Sequence, residues 1–179
     1  MSIIAIILLN LSFQAGAETP QHKLAGFLSG SGNQIFLAAG VFLPAITREE
    51  DGRNRTLRSA DAMLTSAALS EGLKLIVRER RPGSGTADSF PSGHATAAFA
   101  VATVESVYHP KQAFIWYGGA ALIGGSRVAL HVHYVHDVLA GAALGYATAK
   151  LELNSKRGLL LFPVINPSGG TGAGLSFHF

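Results

Sequence analysis

The chain contains no cysteine, which removes a disulfide framework, a thiolate nucleophile and Cys-ligated metal from consideration. Charge is scarce as well. Asp, Glu, Lys and Arg make up 14% of the residues, against roughly 25% in ordinary soluble chains. Hydrophobic residues make up 48%. Such a composition belongs either to a compact helical protein with a large core or to one that lies in or on a membrane. No long basic run is present. The 14 Lys and Arg are scattered and the net charge is only +3, which argues against a nucleic-acid partner. No internal repeat or low-complexity tract is visible, and 179 residues suit one domain.

Residues 2–13 are almost continuously apolar but fall short of the ~20 residues a membrane span needs. Ala15-Gly16-Ala17 follows, and this combination predicts a secretory signal, 1–17, cleaved after Ala17. Residues 18–158 then form a helical domain, and 159–179 a C-terminal β-hairpin or tail. Within the domain, 18–32 reads as loop and 33–47 as a first helix capped by Asn33. The densely charged 48–58 reads as a solvated loop. Helical periodicity and breakers place further helices at about 58–80, 92–108, 112–130 and 136–153. The fold class expected is an all-α bundle, with an apolar run at 159–165 and alternating residues at 175–179 forming the short hairpin.

Three short pieces carry chemistry. Lys74-x6-Arg81-Pro82 places two cations about two helical turns apart, hence on one face if both are helical. Pro91-Ser92-Gly93-His94 opens a helix, where free backbone N–H groups favour an anion and Gly93 permits close approach. Ser126-Arg127-x5-His133-x3-Asp137 spaces an imidazole and a carboxylate by four, so the carboxylate can orient one ring nitrogen. Each piece has an ordinary explanation when taken alone: a basic helix end, a Ser cap, a surface ion pair. Their conjunction supplies cations, a hydroxyl, two imidazoles and a carboxylate, the inventory for holding a phosphate and attacking it.

These pieces, in this order, resemble the type 2 phosphatidic-acid phosphatase superfamily, which also holds bacterial non-specific acid phosphatases and vanadium haloperoxidases. The resemblance covers roughly residues 60–153. It implies that His133 is the nucleophile, Asp137 its orienting carboxylate, and His94 the general acid and then base. Lys74, Arg81, Arg127, Ser92 and Gly93 would bind the phosphoryl oxygens. Three fixed cations and a helix N-terminus stand where other enzymes use a metal, so no cofactor and no metal is expected. His131 and His136 lie outside the pattern. With His133 they form an H-x-H-x2-H cluster, a weaker metal alternative.

The reaction expected is metal-independent hydrolysis of a phosphomonoester or pyrophosphate, on a small molecule or a lipid. Two alternatives are a vanadate-dependent haloperoxidase on the same fold and a non-catalytic binder of phosphate or lipid headgroups. Residues 33–47 are short for a span, and Asp61, Glu71 and Glu105 interrupt the longer helices. The expected location is therefore periplasmic, soluble or membrane-peripheral. An integral inner-membrane protein is the alternative, because Arg48, Arg53, Arg55, Arg58, Lys111, Lys150, Lys156 and Arg157 gather at the end opposite the motifs.

Overall fold

The computed structural model describes residues 19–46, 51–155 and 158–159, and the backbone of 161–165 and 171–175. The expected signal, 1–17, lies outside the described residues. Helix α1, Pro20–Phe27, starts where Thr19 accepts a hydrogen bond from the His22 N–H and proline fills the first turn. A π turn, Leu28–Gly32, joins it to α2, Asn33–Ile46. The loop expected over 18–32 is therefore helical. Glycine and serine are weak helix formers, but the turn packs against the helix that carries Arg127 and tertiary contact prevails. The departure falls at Gly30, whose φ of −98° and ψ of −106° leave the helical region. Asn33 has helical angles and caps nothing. Residues Pro20–Ile46 form a stretch of 27 residues long and apolar enough to cross a membrane, which corrects the shorter helix expected there.

Helix α3 is Gly52–Val77. It begins well before residue 58, so most of the charged segment expected as loop is helix, with Arg55 buried. It ends because Arg78 takes a left-handed conformation at φ 51°. Arg81 therefore lies beyond the helix, and the expected common helical face with Lys74 does not exist. After a loop with a cis Phe90–Pro91 peptide come α4, Gly93–Tyr108, a 3-10 turn at Pro110–Gln112, α5, Ala113–Ala129, and α6, Val135–Asn154. The fold is all-α. The backbone of Leu161–Ile165 pairs antiparallel with Thr171–Leu175; the second strand expected, 175–179, falls almost wholly outside the described residues, and the fold class rests on the helices alone.

Helix α4 is the centre of the bundle and packs on α2, α3, α5 and α6. Its small side chains let neighbours come close. Ala98 and Ala102 meet Ala120 and Ile123 of α5, with Phe36 and Trp116 against them. On another side Ala100 and Val104 meet Ala62 and Ala149. Contact with α6 is closest. A Cβ on Gly141 would stand 2.6 Å from the Ser92 carbonyl oxygen, and one on Gly145 would overlap the carbonyl of Thr96.

At one end of the bundle α3 and α5 finish while α4 and α6 begin. The opposite end holds a buried polar network. Arg58 Nη1 donates to Glu152 Oε1 at 2.8 Å and to the carbonyls of Glu152 and Ser155, each at 2.7 Å. The Leu159 N–H is shared by Asp61 Oδ2 at 2.7 Å and Glu152 Oε2 at 2.8 Å. Ser59 donates to Glu105 at 2.9 Å, and Arg55 lies 3.0 Å from His109 and over the Tyr108 ring. Arg55 and Arg58, expected as solvated charges, are thus internal.

Candidate active site

The end where α4 and α6 begin collects all three motifs. Lys74, in the last turn of α3, reaches across so that its Nζ would stand 3.4 Å from a Cβ on Gly93. It pairs with Glu71 at 2.6 Å. Arg81 sits in the following loop, forked onto Asp88 through Nε at 2.9 Å and Nη2 at 2.8 Å. A hydrogen bond from Thr86, and then the Arg81 guanidinium, hold the Asp88 carboxyl below its ordinary value despite an opposing desolvation. Arg127 is in the last turn of α5 and donates from Nη1 to Ser29 Oγ in the π turn.

His133 precedes α6 in the turn that follows α5, and its backbone N–H bonds to the Arg127 carbonyl at 3.3 Å. Its side chain is buried, with Nδ1 3.4 Å from Asp137 Oδ2. Asp137 is fully buried and doubly fixed, accepting from Ser89 Oγ at 2.6 Å and from the Tyr134 N–H at 2.8 Å. The Ser89 hydroxyl also stands 3.5 Å from His133 Nδ1. Asp137 therefore occupies the Nδ1 side of the ring, and Nε2 is the nitrogen turned away from it. Burial, and then the charges of Arg81 and Arg127, lower the His133 imidazole from its ordinary value, while Asp137 works in the opposite direction.

His94 stands in the first turn of α4. Its ring donates to the Ser29 backbone carbonyl, while burial, then Arg127 and His133, push it down to about 4. Ser92 does not cap α4 with its side chain, so the ordinary explanation of that residue does not apply. Its N–H bonds instead to the Asp137 carbonyl at 3.0 Å, which locks the starts of α4 and α6 together. Ser92 Oγ and Arg127 Nε are buried and have no hydrogen-bond partner among the described residues. Leaving such groups unpaired costs ~1–3 kcal/mol each, which an anionic oxygen placed among them would recover.

A family model described as the PAP2 superfamily matches residues 56–158. The chain belongs to the PAP2 superfamily. Among proteins similar to this PAP2 chain is one named lipid A 1-phosphatase from Porphyromonas gingivalis, 37% identical over 75 residues, which are 40% of this chain and 17% of that one. Another is the bacitracin transport permease protein BcrC of Bacillus licheniformis, 27% identical over 125 residues, or 64% of this chain and 62% of that one. The chain thus spans less than two thirds of either relative. The crystal structure of Aquifex aeolicus LpxE matches with a TM-score of 0.61 at 26% identity, over 83% of this chain and 94% of that one.

Lys74, Arg81, Ser92, Gly93, His94, Arg127, His133 and Asp137 all lie in this one region of the PAP2 fold. The H-x-H-x2-H metal cluster does not assemble. His131 turns back on Val128 with φ 54°. Among the described residues the donor atoms that could hold a metal ion belong to Glu79, His136 and Asp137, within 4.8 Å of one another. They already close as an ion pair, with His136 Nε2 2.8 Å from Glu79 and 3.2 Å from Asp137. Ser89 and Ser29 were missed from sequence. Ser89 had a signal in its position just before Pro91-Ser92-Gly93-His94. Ser29 had none, because it lies 98 residues from Arg127.

Proposed function

We propose that this PAP2 protein is a metal-independent phosphatase that hydrolyses phosphomonoesters or pyrophosphates carried on lipids, through a phosphohistidine at His133. The observation that carries this reading is a held histidine beside an unfilled set of donors. Asp137 and Ser89 occupy the Nδ1 side of His133, while Arg127 Nε and Ser92 Oγ remain buried without partners. His133 Nε2 attacks phosphorus, forming an N–P bond as the bond to the leaving oxygen breaks. His94 gives that oxygen its proton. Asp137 stabilises the imidazolium character that develops. His94 then takes a proton from water, which attacks phosphorus, releases phosphate and restores His133. Lys74, Arg81, Arg127 and the N–H groups opening α4 stabilise the phosphoryl oxygens throughout.

A lipid substrate is supported by an apolar groove of about 560 Å³ beside the site, lined by Phe99, Ala121, Val128, Val135, Val138 and Leu139. Val128 and Val135 put one end of the groove at the level of Arg127 and His133 along the bundle. The name of the lipid A 1-phosphatase relative agrees. Membrane association follows from the apolar Pro20–Ile46 stretch. Export of the site rests on the signal at 1–17, and an exporting host should yield protein beginning at Glu18.

Phosphate release from p-nitrophenyl phosphate and from lipid monophosphates and pyrophosphates, measured in EDTA, tests the reaction. Release that survives chelation and is blocked by vanadate is expected, with lipids preferred. Absence of release from every substrate, or release that requires added zinc, would overturn it.

A further inference from the structure

Two of the groups placed in the mechanism meet outside the three motifs, at a single residue of the N-terminal helix. Ser29 Oγ accepts from Arg127 Nη1, and the Ser29 carbonyl accepts from the His94 ring. Ser29 is buried at 8% exposure. It sits inside the π turn Leu28–Gly32, within the Pro20–Ile46 stretch. Such turns inside helices occur frequently at functional sites. A regular helix would bond the Ser29 carbonyl along its own axis, and the break at Gly30 accompanies its turning to His94.

We propose that Ser29 is a positioning residue of the site, aligning the Arg127 fork through its hydroxyl and the His94 ring through its carbonyl. The inference rests on the phosphatase reading and deepens it. By taking Nη1, Ser29 leaves the Nε edge of Arg127, which is buried without a partner, for two oxygens of a phosphoryl group. A planar fork binds oxyanions well only when its plane is set in advance. The carbonyl does for His94 what Asp137 does for His133. It takes the proton-bearing ring nitrogen and leaves the other nitrogen turned to the substrate. His94 has no carboxylate such as Asp137 beside it, and burial, then the charges of Arg127 and His133, make it a weak base, so it takes up the proton it delivers only when the negative charge of a phosphate is beside it. The two histidines thus have orienting groups of different charge, one suited to a nucleophile and the other to a proton carrier.

The test uses the full chain with Ser29→Ala, Ser29→Cys and Ser29→Thr. Cysteine keeps the size of serine but is a weak acceptor, so a packing role survives in Ser29→Cys and a hydrogen-bonding role does not. Both Ser29→Ala and Ser29→Cys should lower kcat/KM for p-nitrophenyl phosphate and weaken orthovanadate binding by about tenfold or more, the worth of a hydrogen bond to a charged group. Ser29→Thr, which keeps the hydroxyl, should recover most of both. Unchanged kinetics and binding in Ser29→Cys would overturn the proposal. So would tighter vanadate binding in Ser29→Ala, which would make Ser29 a competitor of phosphate. Vanadate binding by calorimetry needs no turnover. A wild-type protein that binds vanadate but releases no phosphate counts against the phosphatase reading alone, and the Ser29 comparison still stands or falls on binding.

Discussion

The two ends of the bundle are both polar, and they differ in how exposed the acids are that hold their cations. At the end holding Asp61, Glu105 and Glu152, each carboxylate has a named partner on another helix or on the segment after α6. At the end holding His94 and His133, Lys74 and Arg81 rest on acids that are 67% and 46% exposed; buried hydroxyls without a partner occur at both ends, Ser92 here and Thr56 and Ser106 there. Buried acids held by neighbouring helices join the bundle, whereas exposed acids at a rim can give way to a ligand that arrives later. Burial of charge alone would not have told the two apart.

Substitution should break the two ends in different currencies. The largest effect belongs to His133→Ala, which should abolish phosphoenzyme and lower turnover by at least about 10⁴-fold while leaving the melting temperature near wild type. His94→Ala should cost ~10²–10⁴-fold on alkyl phosphates, and far less on p-nitrophenyl phosphate, whose leaving group needs no proton. Retained phosphoenzyme in His133→Ala, or equal losses on both substrates in His94→Ala, would reverse the roles given to the histidines.

Next in size is Arg58→Ala at the opposite end. Removing one partner of a buried pair strands Glu152 and should destabilise by about 3–5 kcal/mol, read by denaturant unfolding, with kcat of the folded fraction preserved. A loss of kcat without loss of stability would show that this end takes part in turnover.

The smallest effects separate the ends by pH. Burial first, and then a bond shared with Asp61, push Glu152 up to about 7. Its contribution to stability is full below the unfolded carboxyl value and is lost as pH rises through about 7. His94 is the opposite case. Held down at about 4, it contributes stability above the unfolded imidazole value of ~6.5, lost as pH falls towards 4. Melting temperature against pH should lose its alkaline slope in Glu152→Gln and its acidic slope in His94→Gln. Identical profiles in both variants and wild type would mean that neither group titrates as described.

Much of the site was legible because its chemistry is local. His133 and Asp137 are four apart, and Ser92, Gly93 and His94 are consecutive. Long-range partners were not legible. Arg58 and Glu152 are 94 residues apart, and nothing local marks them as a pair. Asp61 and Glu105 were weighed as interruptions of apolar helices, whereas the fold encloses both and supplies their donors. Arg81 was misplaced because a helix end at Arg78 needs a left-handed arginine, a conformation that sequence normally signals with glycine. The helix through Ser29 was misread for the converse reason, since its glycines and serines signal a break while packing keeps them helical.

The missing side chains at Gly141 and Gly145 have a consequence for timing within a catalytic cycle. Helix α4 carries His94, the proposed proton donor, in its first turn, and α6 carries Asp137, the carboxylate beside the proposed nucleophile His133, in its own. At Gly141 and Gly145 these two helices touch through backbone, with only Ala95 and Thr96 side chains beside the contact, which leaves little room for one to slide on the other. His94 and Asp137 are therefore carried by one closely packed pair of helices. A methyl group at Gly141 would act as a shim, setting acid and nucleophile permanently out of gauge while every reacting group remained present.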